Sequence, residues 1–273
     1  MIRNLVTALS VASSLLICFG DVKAQDRNLQ SHKVLELHFD NKADLKESPR
    51  FMYDSSGKNN HGYANANGPT WRANEGMNGA YEFDGKDDVI TVLDADNLSP
   101  SNTGELTIGC WMKFGATSFE GEGTGGYVNF IGKGTYSSQS DRGQNEYHFR
   151  QYPRSSDRPD RISFYGFNRE GGLGAGSYVQ RKIDPKKWRH IVGVFTPTHV
   201  QMWENGVKVD EDPLSGYDIK FTNGTSPLKF GGEYGNDKFH WKGMLDECVA
   251  YDVALTQSEI QGIFKDQVQH FMK

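Results

Sequence analysis

The residues of this chain that could do chemistry are mostly carboxylates beside turns and strand ends. Asp246 and Glu247 form an acidic pair inside the apolar stretch from Trp241 to Asp252. A second group of oxygen donors lies in the turn-rich segment 54–62, with the sequence DSSGKNNHG. Carboxylate and carbonyl oxygens are the ligands that Ca²⁺ prefers, although such a segment also suits an ordinary solvated turn. These residues therefore raise two hypotheses, catalysis and cation binding.

The sequence lacks the motifs of several other kinds of functional site. The sequence has no Gly-x-Ser-x-Gly segment for an esterase nucleophile and no Cys-x-x-Cys or His-x-x-x-His spacing for zinc. The glycine-rich segment 115–126 is not followed by a helical pattern, so it lacks the helix N-terminus that phosphate-binding loops use. A formal net charge of −5, with no block of basic residues, argues against nucleic acid and against an anionic membrane surface.

The first residues predict export. An early positive charge precedes an apolar run from Leu5 to Phe19, and Val22 and Ala24 then supply the residues that signal peptidase accepts. We expect cleavage after Ala24 and a secreted or periplasmic protein without membrane insertion. An uncleaved anchor, or a lipid on Cys18, is the alternative, although the apolar run is short for a membrane span.

The predicted domain organisation is simple. Residues 1–24 form the signal peptide, residues 25–32 a flexible mature N-terminus, and residues 33–273 one domain, because no linker divides the chain. Two cysteines remain, Cys110 and Cys248, both in apolar stretches. An oxidising compartment would allow a disulfide between them, and two buried thiols are the alternative.

Apolar periodicity predicts an all-β domain. Residues 35–39 alternate between apolar and polar side chains, as in a half-buried strand. Asp-Gly at 84–85 and Asn-Gly at 205–206 separate apolar runs and predict hairpins. In all, about ten to twelve short strands follow one another at the spacing of a β-sandwich. Thr256 and Glu259 form a capping box that predicts a short C-terminal helix.

Taken in order, the motifs resemble a laminin G-like jellyroll domain of the concanavalin A-like lectin/glucanase superfamily. The resemblance covers about residues 33–266. It implies a jellyroll sandwich of two curved antiparallel sheets, with a concave face that accepts glycans in many relatives. The segments that carry it are Leu37-His38-Phe39-Asp40, Asp54-Ser55-Ser56-Gly57, His61-Gly62, Phe83-Asp84-Gly85, Asp87-Asp88, Leu106-Thr107-Ile108 with Trp111, Trp188-Arg189-His190-Ile191-Val192, Asn205-Gly206, Gly243 with Asp246-Glu247, and Ala254-Leu255 with Glu259-Ile260.

The resemblance also implies a structural calcium ion. Carried over to this chain, its ligands would be the carboxylates of Asp40 and Asp246 and oxygens of the turn from Asn60 to Gly62. The ion would join segments far apart in the sequence and would chiefly stabilise the fold. A salt bridge or a capped turn at Asp246 is the alternative.

The superfamily also contains glycoside hydrolases, which need two carboxylates on one strand face, about 5 Å apart in the retaining enzymes. The segment 82–87, with the sequence EFDGKD, approaches their motif but lacks its final glutamate. The segment 147–152 holds residue types of a polysaccharide lyase without the lyase motif. We therefore expect a non-catalytic protein, with a divergent polysaccharide hydrolase or lyase as the less favoured alternative.

Two neighbouring strands supply the predicted ligand face. The family pattern would send Tyr147 and Phe149 inward, so strand alternation places the residues between and after them on the opposite face. Aromatic rings beside Arg and His donors suit a sugar, whose apolar faces stack while its hydroxyls form hydrogen bonds. Alternation also turns Trp203 away from the core. The predicted ligand-binding residues are His148, Arg150, Tyr152, Tyr165 and Trp203.

These observations together predict an exported, lectin-like module that binds a glycan or polysaccharide and holds structural calcium. The alternative partner is another exported protein, bound through the loops 115–126 and 153–160.

Overall fold

A computed structural model of the chain describes residues 27–121, 126–134, 144–168, 174–232 and 239–272. The predicted signal peptide and the centre of the glycine-rich segment lie outside these residues. The helices are α1 (Leu29–His32) and α2 (Gln257–Phe271), with 3₁₀ turns at Ala43–Leu45, Asp96–Leu98, Pro100–Asn102 and Leu214–Tyr217. Neither α-helix is long and apolar enough to cross a membrane. The strands are β1 (Lys33–Leu37), β2 (Phe51–Met52), β3 (Gly62–Ala64), β4 (Thr70–Arg72), β5 (Ala80–Asp84), β6 (Ile90–Val92), β7 (Leu106–Phe114), β8 (Val128–Lys133), β9 (Tyr147–Gln151), β10 (Arg161–Gly166), β11 (Ala175–Gln180), β12 (Trp188–Phe195), β13 (His199–Glu204), β14 (Val207–Pro213), β15 (Leu228–Phe230) and β16 (Lys242–Tyr251).

The strands form two antiparallel sheets of eight strands each. Sheet A has the order β14-β13-β12-β7-β16-β5-β4, and β1 pairs with β16 beside β5. Sheet B has the order β11-β10-β9-β8-β15-β6-β3-β2. The predicted all-β jellyroll sandwich with a C-terminal helix is confirmed.

The core lies between the sheets because alternate side chains of both sheets point inward. Phe164 of β10 packs against Phe195 of β12, with ring centroids 4.6 Å apart. The indole of Trp241, which is fully buried, donates a hydrogen bond to Gln151 Oε1 at 2.7 Å. This bond satisfies the one polar atom of a large core ring and links the segment before β16 to sheet B.

Helix α2 covers part of the outer face of sheet A. Phe271 stacks on Trp111 with centroids 4.1 Å apart and an interplanar angle of 3°. The predicted capping box is confirmed, since Thr256 and Glu259 bond each other's backbone N–H groups. The N-terminal segment joins this layer, because Arg27 Nε donates to Glu259 Oε1 at 2.9 Å. The part of the predicted flexible terminus that the structure describes therefore contacts α2 and includes α1.

Strand β16 is irregular at its centre. Its register against β7 shifts between Asp246 and Val249, and Glu247 has a φ of 47°, in the left-handed region. The irregularity lies beside Cys248, and burial together with the neighbouring Cys110 raises the pKa of the Cys248 thiol well above its usual range. Both cysteines are buried and free, so the predicted disulfide is corrected in favour of two buried thiols.

Candidate functional site

Three polar side chains share one row on the outer face of sheet B. The strand register pairs Arg150 of β9 with Asn129 of β8 on one side and with Ser163 of β10 on the other. Asn129 and Ser163 are almost fully buried. Asn129 Oδ1, Arg150 Nε and Ser163 Oγ are buried without a hydrogen-bond partner among the described residues. Such atoms cost about 1–3 kcal/mol each, which a bonding ligand would recover.

Three aromatic rings surround the Arg150 guanidinium. Its central carbon lies 4.1 Å from the ring centroid of Tyr127, 4.5 Å from that of Tyr165 and 5.2 Å from that of Phe167. These cation–π contacts fix the plane of the guanidinium while leaving its edge for hydrogen bonds. Arg150 forms no ion pair with any described carboxylate, so its charge is not neutralised within that part of the chain.

His148 completes this arrangement as a hydrogen-bond acceptor. Arg150 Nη2 lies 2.9 Å from His148 Nε2, and an arginine only donates, so Nε2 accepts and the ring proton is on Nδ1. Burial, and then the neighbouring Arg150 charge, hold the pKa of His148 well below its usual range. The imidazole is therefore neutral at pH 7. We call Asn129, His148, Arg150, Ser163 and Tyr165 the Arg150 face.

Two loops close one end of the Arg150 face. Tyr152, which is almost fully buried, lies at this end with its ring centroid 5.5 Å from that of Tyr127. The loop that follows it is joined to the 115–121 segment, because Arg154 N donates to Thr117 O at 2.8 Å. The structure thus brings together four of the predicted ligand residues, His148, Arg150, Tyr152 and Tyr165.

Trp203 does not belong to this group. Alternation does turn it out of the core, but it lies on sheet A and is only 4% exposed. It packs with Val192, Leu255 and Ile260, in the cluster where α2 docks. The prediction that Trp203 binds ligand is therefore corrected: its outward face is occupied by the helix.

Asp246 and Asp40 lie at the second candidate site, beside the irregular part of β16. Asp246 is fully buried; its Oδ2 accepts from Met77 N at 2.7 Å and its Oδ1 from Glu247 N at 3.0 Å. Burial raises the pKa of Asp246 well above its usual range, and the charges of Glu247 and Asp40 add to that rise. The two predicted carboxylates therefore do interact.

The donor set of this site fits a hard cation. Asp40 is 4% exposed, and its Oδ1 is buried without a hydrogen-bond partner among the described residues. A Cβ on Gly76 would lie 2.2 Å from Asp246 Oδ2, so only glycine leaves this approach open. Phe39 and Asn41 flank Asp40 with φ of 61° and 51°, a strained backbone for such residues. Asp40 and Asp246 would be the protein carboxylates that hold the ion.

Glu47 is a further buried carboxylate near Asp40, and the sequence does not indicate it. It is 8% exposed, and its Oε1 is also buried without a hydrogen-bond partner among the described residues. Burial raises the pKa of Glu47, and the Asp40 charge raises it further. Nothing local in the sequence marks Glu47, because it approaches Asp40 only through the 3₁₀ turn before it. Glu247 is held separately by His38, whose pKa this hydrogen bond raises to about 9.

Asn60 and Gly62, the other predicted calcium ligands, lie in a hydrogen-bonded turn and in β3. The Asn60 amide donates to Val34 O at 2.7 Å, and its backbone N–H donates to Asp54 Oδ2 at 2.8 Å, so Asp54 caps the turn. Gly62 belongs to β3 of sheet B, whereas Asp246 belongs to sheet A. These bonds use the nitrogens of Asn60, so the role of the Asn60 and Gly62 oxygens as calcium ligands stays a prediction.

The carboxylates of the hydrolase-like segment lie in a different place. Glu82 of β5 forms an ion pair with Arg72 on sheet A, whereas the Arg150 face is on sheet B. Asp84, Asp87 and Asp88 lie in the following turn with ligand atoms within 4.8 Å of one another. Asp88 Oδ2 accepts from Asp84 N at 2.6 Å, and burial raises the pKa of Asp88 to about 6. The carboxylates of this hairpin turn therefore accept hydrogen bonds from its own backbone N–H groups.

A comparison with models of protein families identifies the superfamily of this chain. A laminin G-type model, described as the concanavalin A-like lectin/glucanases superfamily, matches residues 83–261. The chain belongs to this superfamily. The matched span includes the Arg150 face and β16. A search of curated protein sequences found no match.

Solved structures of similar fold include the binding domains of toxins. The chain is similar to the binding domain of paraclostridial mosquitocidal protein 1, with a TM-score of 0.64 and 16% identity over 87% of this chain and 53% of that one. It is also similar to the binding domain of botulinum neurotoxin DC in complex with rat synaptotagmin II (TM-score 0.62, 11% identity, 88% and 52% covered) and in complex with SialylT (0.61, 11%, 88% and 52%). The chain spans about half the length of these proteins, and at such identities the likeness shows the fold alone.

Proposed function

We propose that this protein is an exported, non-catalytic module that binds a glycan at the Arg150 face and carries a structural calcium ion. The observation that carries the proposal is the row Asn129, Arg150 and Ser163, in which three buried polar atoms have no partner among the described residues. Sugars supply hydroxyl groups that both donate and accept, the two roles that Arg150 Nε and Asn129 Oδ1 leave open. Tyr165 offers an aromatic surface beside the row.

Membership of a lectin and glucanase superfamily supports this proposal, and so do the toxin-domain structures, one of which is in complex with SialylT. The arrangement favours binding over hydrolysis, because the carboxylates of the hydrolase-like segment lie on sheet A. Arg150, with no described acidic partner, suits an oxygen-rich or acidic group of the sugar.

Calcium enters the proposal as a stabiliser of the fold. Asp40 and Asp246 would hold the ion, with Glu47 close by, and it would offset the mutual repulsion of these buried carboxylates. The ion would join the end of β1 to β16. No step of glycan binding passes through it, since the Arg150 face belongs to the other sheet.

The test of glycan binding is an array of acidic and neutral glycans, probed with and without a calcium chelator. A glycan that binds is then titrated against Arg150→Met, which keeps an apolar stem at this position but removes the donors. We expect at least about a tenfold loss of affinity, or about 1.4 kcal/mol. Arg72→Met is the matched control, because Arg72 is half exposed on sheet A.

Three outcomes would contradict parts of the proposal. If no glycan binds under either condition, the lectin-like function fails, and a protein partner at the loops 115–121 and 153–160 becomes the better hypothesis. If Arg150→Met binds as tightly as the Arg72→Met control, the ligand lies elsewhere. Release of reducing ends or unsaturated products from a bound polysaccharide would contradict the non-catalytic part.

A further inference from the structure

A pocket of about 500 Å³ lies at one end of sheet A, separate from the Arg150 face and from the Asp40 and Asp246 site. It forms where the segment 181–187 enters β12, where β13 ends and where α2 ends. Its volume is within the range of about 300–1,000 Å³ that small-molecule sites occupy.

The charged lining of this pocket is strongly positive. Glu204 is the carboxylate of the lining, and its side chain is 1% exposed. Arg189 Nη1 donates to Glu204 Oε1 at 2.9 Å, and Arg181 binds the other oxygen. One carboxylate thus orients two guanidinium groups but neutralises only one of their charges. The cations of the lining are Arg181, Lys186, Lys187 and Arg189, so four positive charges less one negative charge leave an excess of three.

The two lysines add charge that nothing described neutralises. Lys186 and Lys187 are exposed, and neither forms an ion pair with a described carboxylate. The nearby Asp184 is occupied by the turn itself, since its Oδ1 accepts from Lys186 N at 3.0 Å. The ammonium groups therefore remain available to an anion in the pocket.

An apolar wall lies beside these cations. Trp188 and Phe271 are 7% and 6% exposed and meet edge to face, with centroids 5.2 Å apart. Met272, which is 48% exposed, extends the wall toward solvent. A bare inorganic anion would leave this wall uncovered, whereas a ring would cover it and bury apolar surface.

We propose that this pocket binds a small organic anion, a carboxylate, sulfate or phosphate group attached to a ring. The anionic group contacts Lys186, Lys187 and Arg189, whose guanidinium Glu204 holds in place. The ring lies against Trp188 and Met272. This site is independent of the glycan proposal and shares no residue with it.

Three probes separate the two parts of the proposed ligand: phenyl phosphate carries both, inorganic phosphate only the anion, and benzyl alcohol only the ring. Titration of the full chain by calorimetry should give the tightest binding for phenyl phosphate, by about tenfold over either other probe. Its affinity should fall as salt is raised. In the wild-type protein, phenyl phosphate should also shift the Met272 methyl resonance.

The variant test reverses the exposed charges. Lys186→Glu with Lys187→Glu should weaken phenyl phosphate at least tenfold, while Lys58→Glu with Lys220→Glu, the same change in net charge at exposed positions elsewhere, should leave it unchanged. An equal loss in both double variants would overturn the pocket assignment, and so would an unshifted Met272 resonance. Equal affinity for inorganic phosphate and phenyl phosphate would contradict the claim that a ring binds against Trp188 and Met272.

Discussion

At the scale of the residue, Asp246 is a carboxyl group in a place where ionisation is unfavourable. It is fully buried, and burial together with Glu247 and Asp40 raises its pKa. A bound cation reverses this situation, because it makes the ionised form favourable. The stability of the protein should therefore respond to calcium through this residue.

Asp246→Asn should abolish that response. Without calcium, the neutral amide relieves repulsion with Asp40 and Glu247 but can accept only one of the two backbone N–H bonds that Asp246 accepts, so each protein is judged by its own gain in stability on adding calcium. At a calcium concentration of about 100 times Kd, the wild-type protein should gain about 2.7 kcal/mol, or roughly 5–10 °C in Tm. The variant should gain much less. Thermal unfolding with calcium and with chelator measures both.

The control for this prediction is Asp218→Asn, which removes a carboxylate that is 83% exposed. It should keep the calcium response of the wild-type protein. A full response in Asp246→Asn would mean that no ion binds at Asp246.

At the scale of the element, strand alternation is local and could be predicted, but strand neighbours and helix docking could not. The pattern around Tyr147 and Phe149 placed Arg150 on the outer face because side chains alternate along a strand. The same pattern does not indicate which strand pairs with β9. The proximity of Asn129 in β8, and of Tyr127 just before β8, to Arg150 could therefore not be predicted. Trp203 was misassigned for a related reason: the sequence indicated α2 but not the sheet face on which it packs.

The docking of α2 should depend on its last turn. Phe271 is 6% exposed and stacks on Trp111, so Phe271→Ala should cost about 3–5 kcal/mol. Met272, the next residue, is 48% exposed, and Met272→Ala should change stability by less than about 0.5 kcal/mol. Chemical denaturation measures both. Similar costs for the two variants would show that α2 does not need the Phe271 ring on sheet A.

At the scale of the whole molecule, the jellyroll fold followed from ordered motifs, while the carboxylate site depended on distant contacts. Asp40 and Asp246 were predicted together through the resemblance. Glu47 and Gly76 approach them only in the folded chain. No local sequence pattern indicates the backbone angles that bring them there. The turn at Asn60 bonds both within its segment, to Asp54, and to the distant Val34 and Asn97, contacts that its turn-forming residues do not specify.

The stability of the whole molecule should fall in mild acid through His190. It is 2% exposed between Trp111 and Phe264, and burial lowers its pKa to about 4 from about 6.5. The unfolded chain therefore binds a proton more readily, so stability is fully present above pH 6.5 and is lost as the pH falls toward 4. The loss from pH 7 to pH 5 should be about 2 kcal/mol.

Urea unfolding of His190→Gln at the two pH values tests this assignment. The variant should lose less stability than the wild-type protein on going from pH 7 to pH 5, because other titrating groups are common to both and cancel. His199→Gln, at a partly exposed position, is the control and should behave like the wild-type protein. An unchanged pH dependence in His190→Gln would assign the acid sensitivity to other residues.

The contact between Arg27 and Glu259 has a practical consequence for these measurements. It places the start of the described chain beside α2, and Met272 follows the last turn of the same helix. Both ends of the described chain are therefore on the sheet A side. A sensor surface linked to either end would leave the Arg150 face directed toward the solution, whereas random coupling through amines would not control its orientation. End-linked capture is thus the geometry in which a weak sugar interaction is best measured.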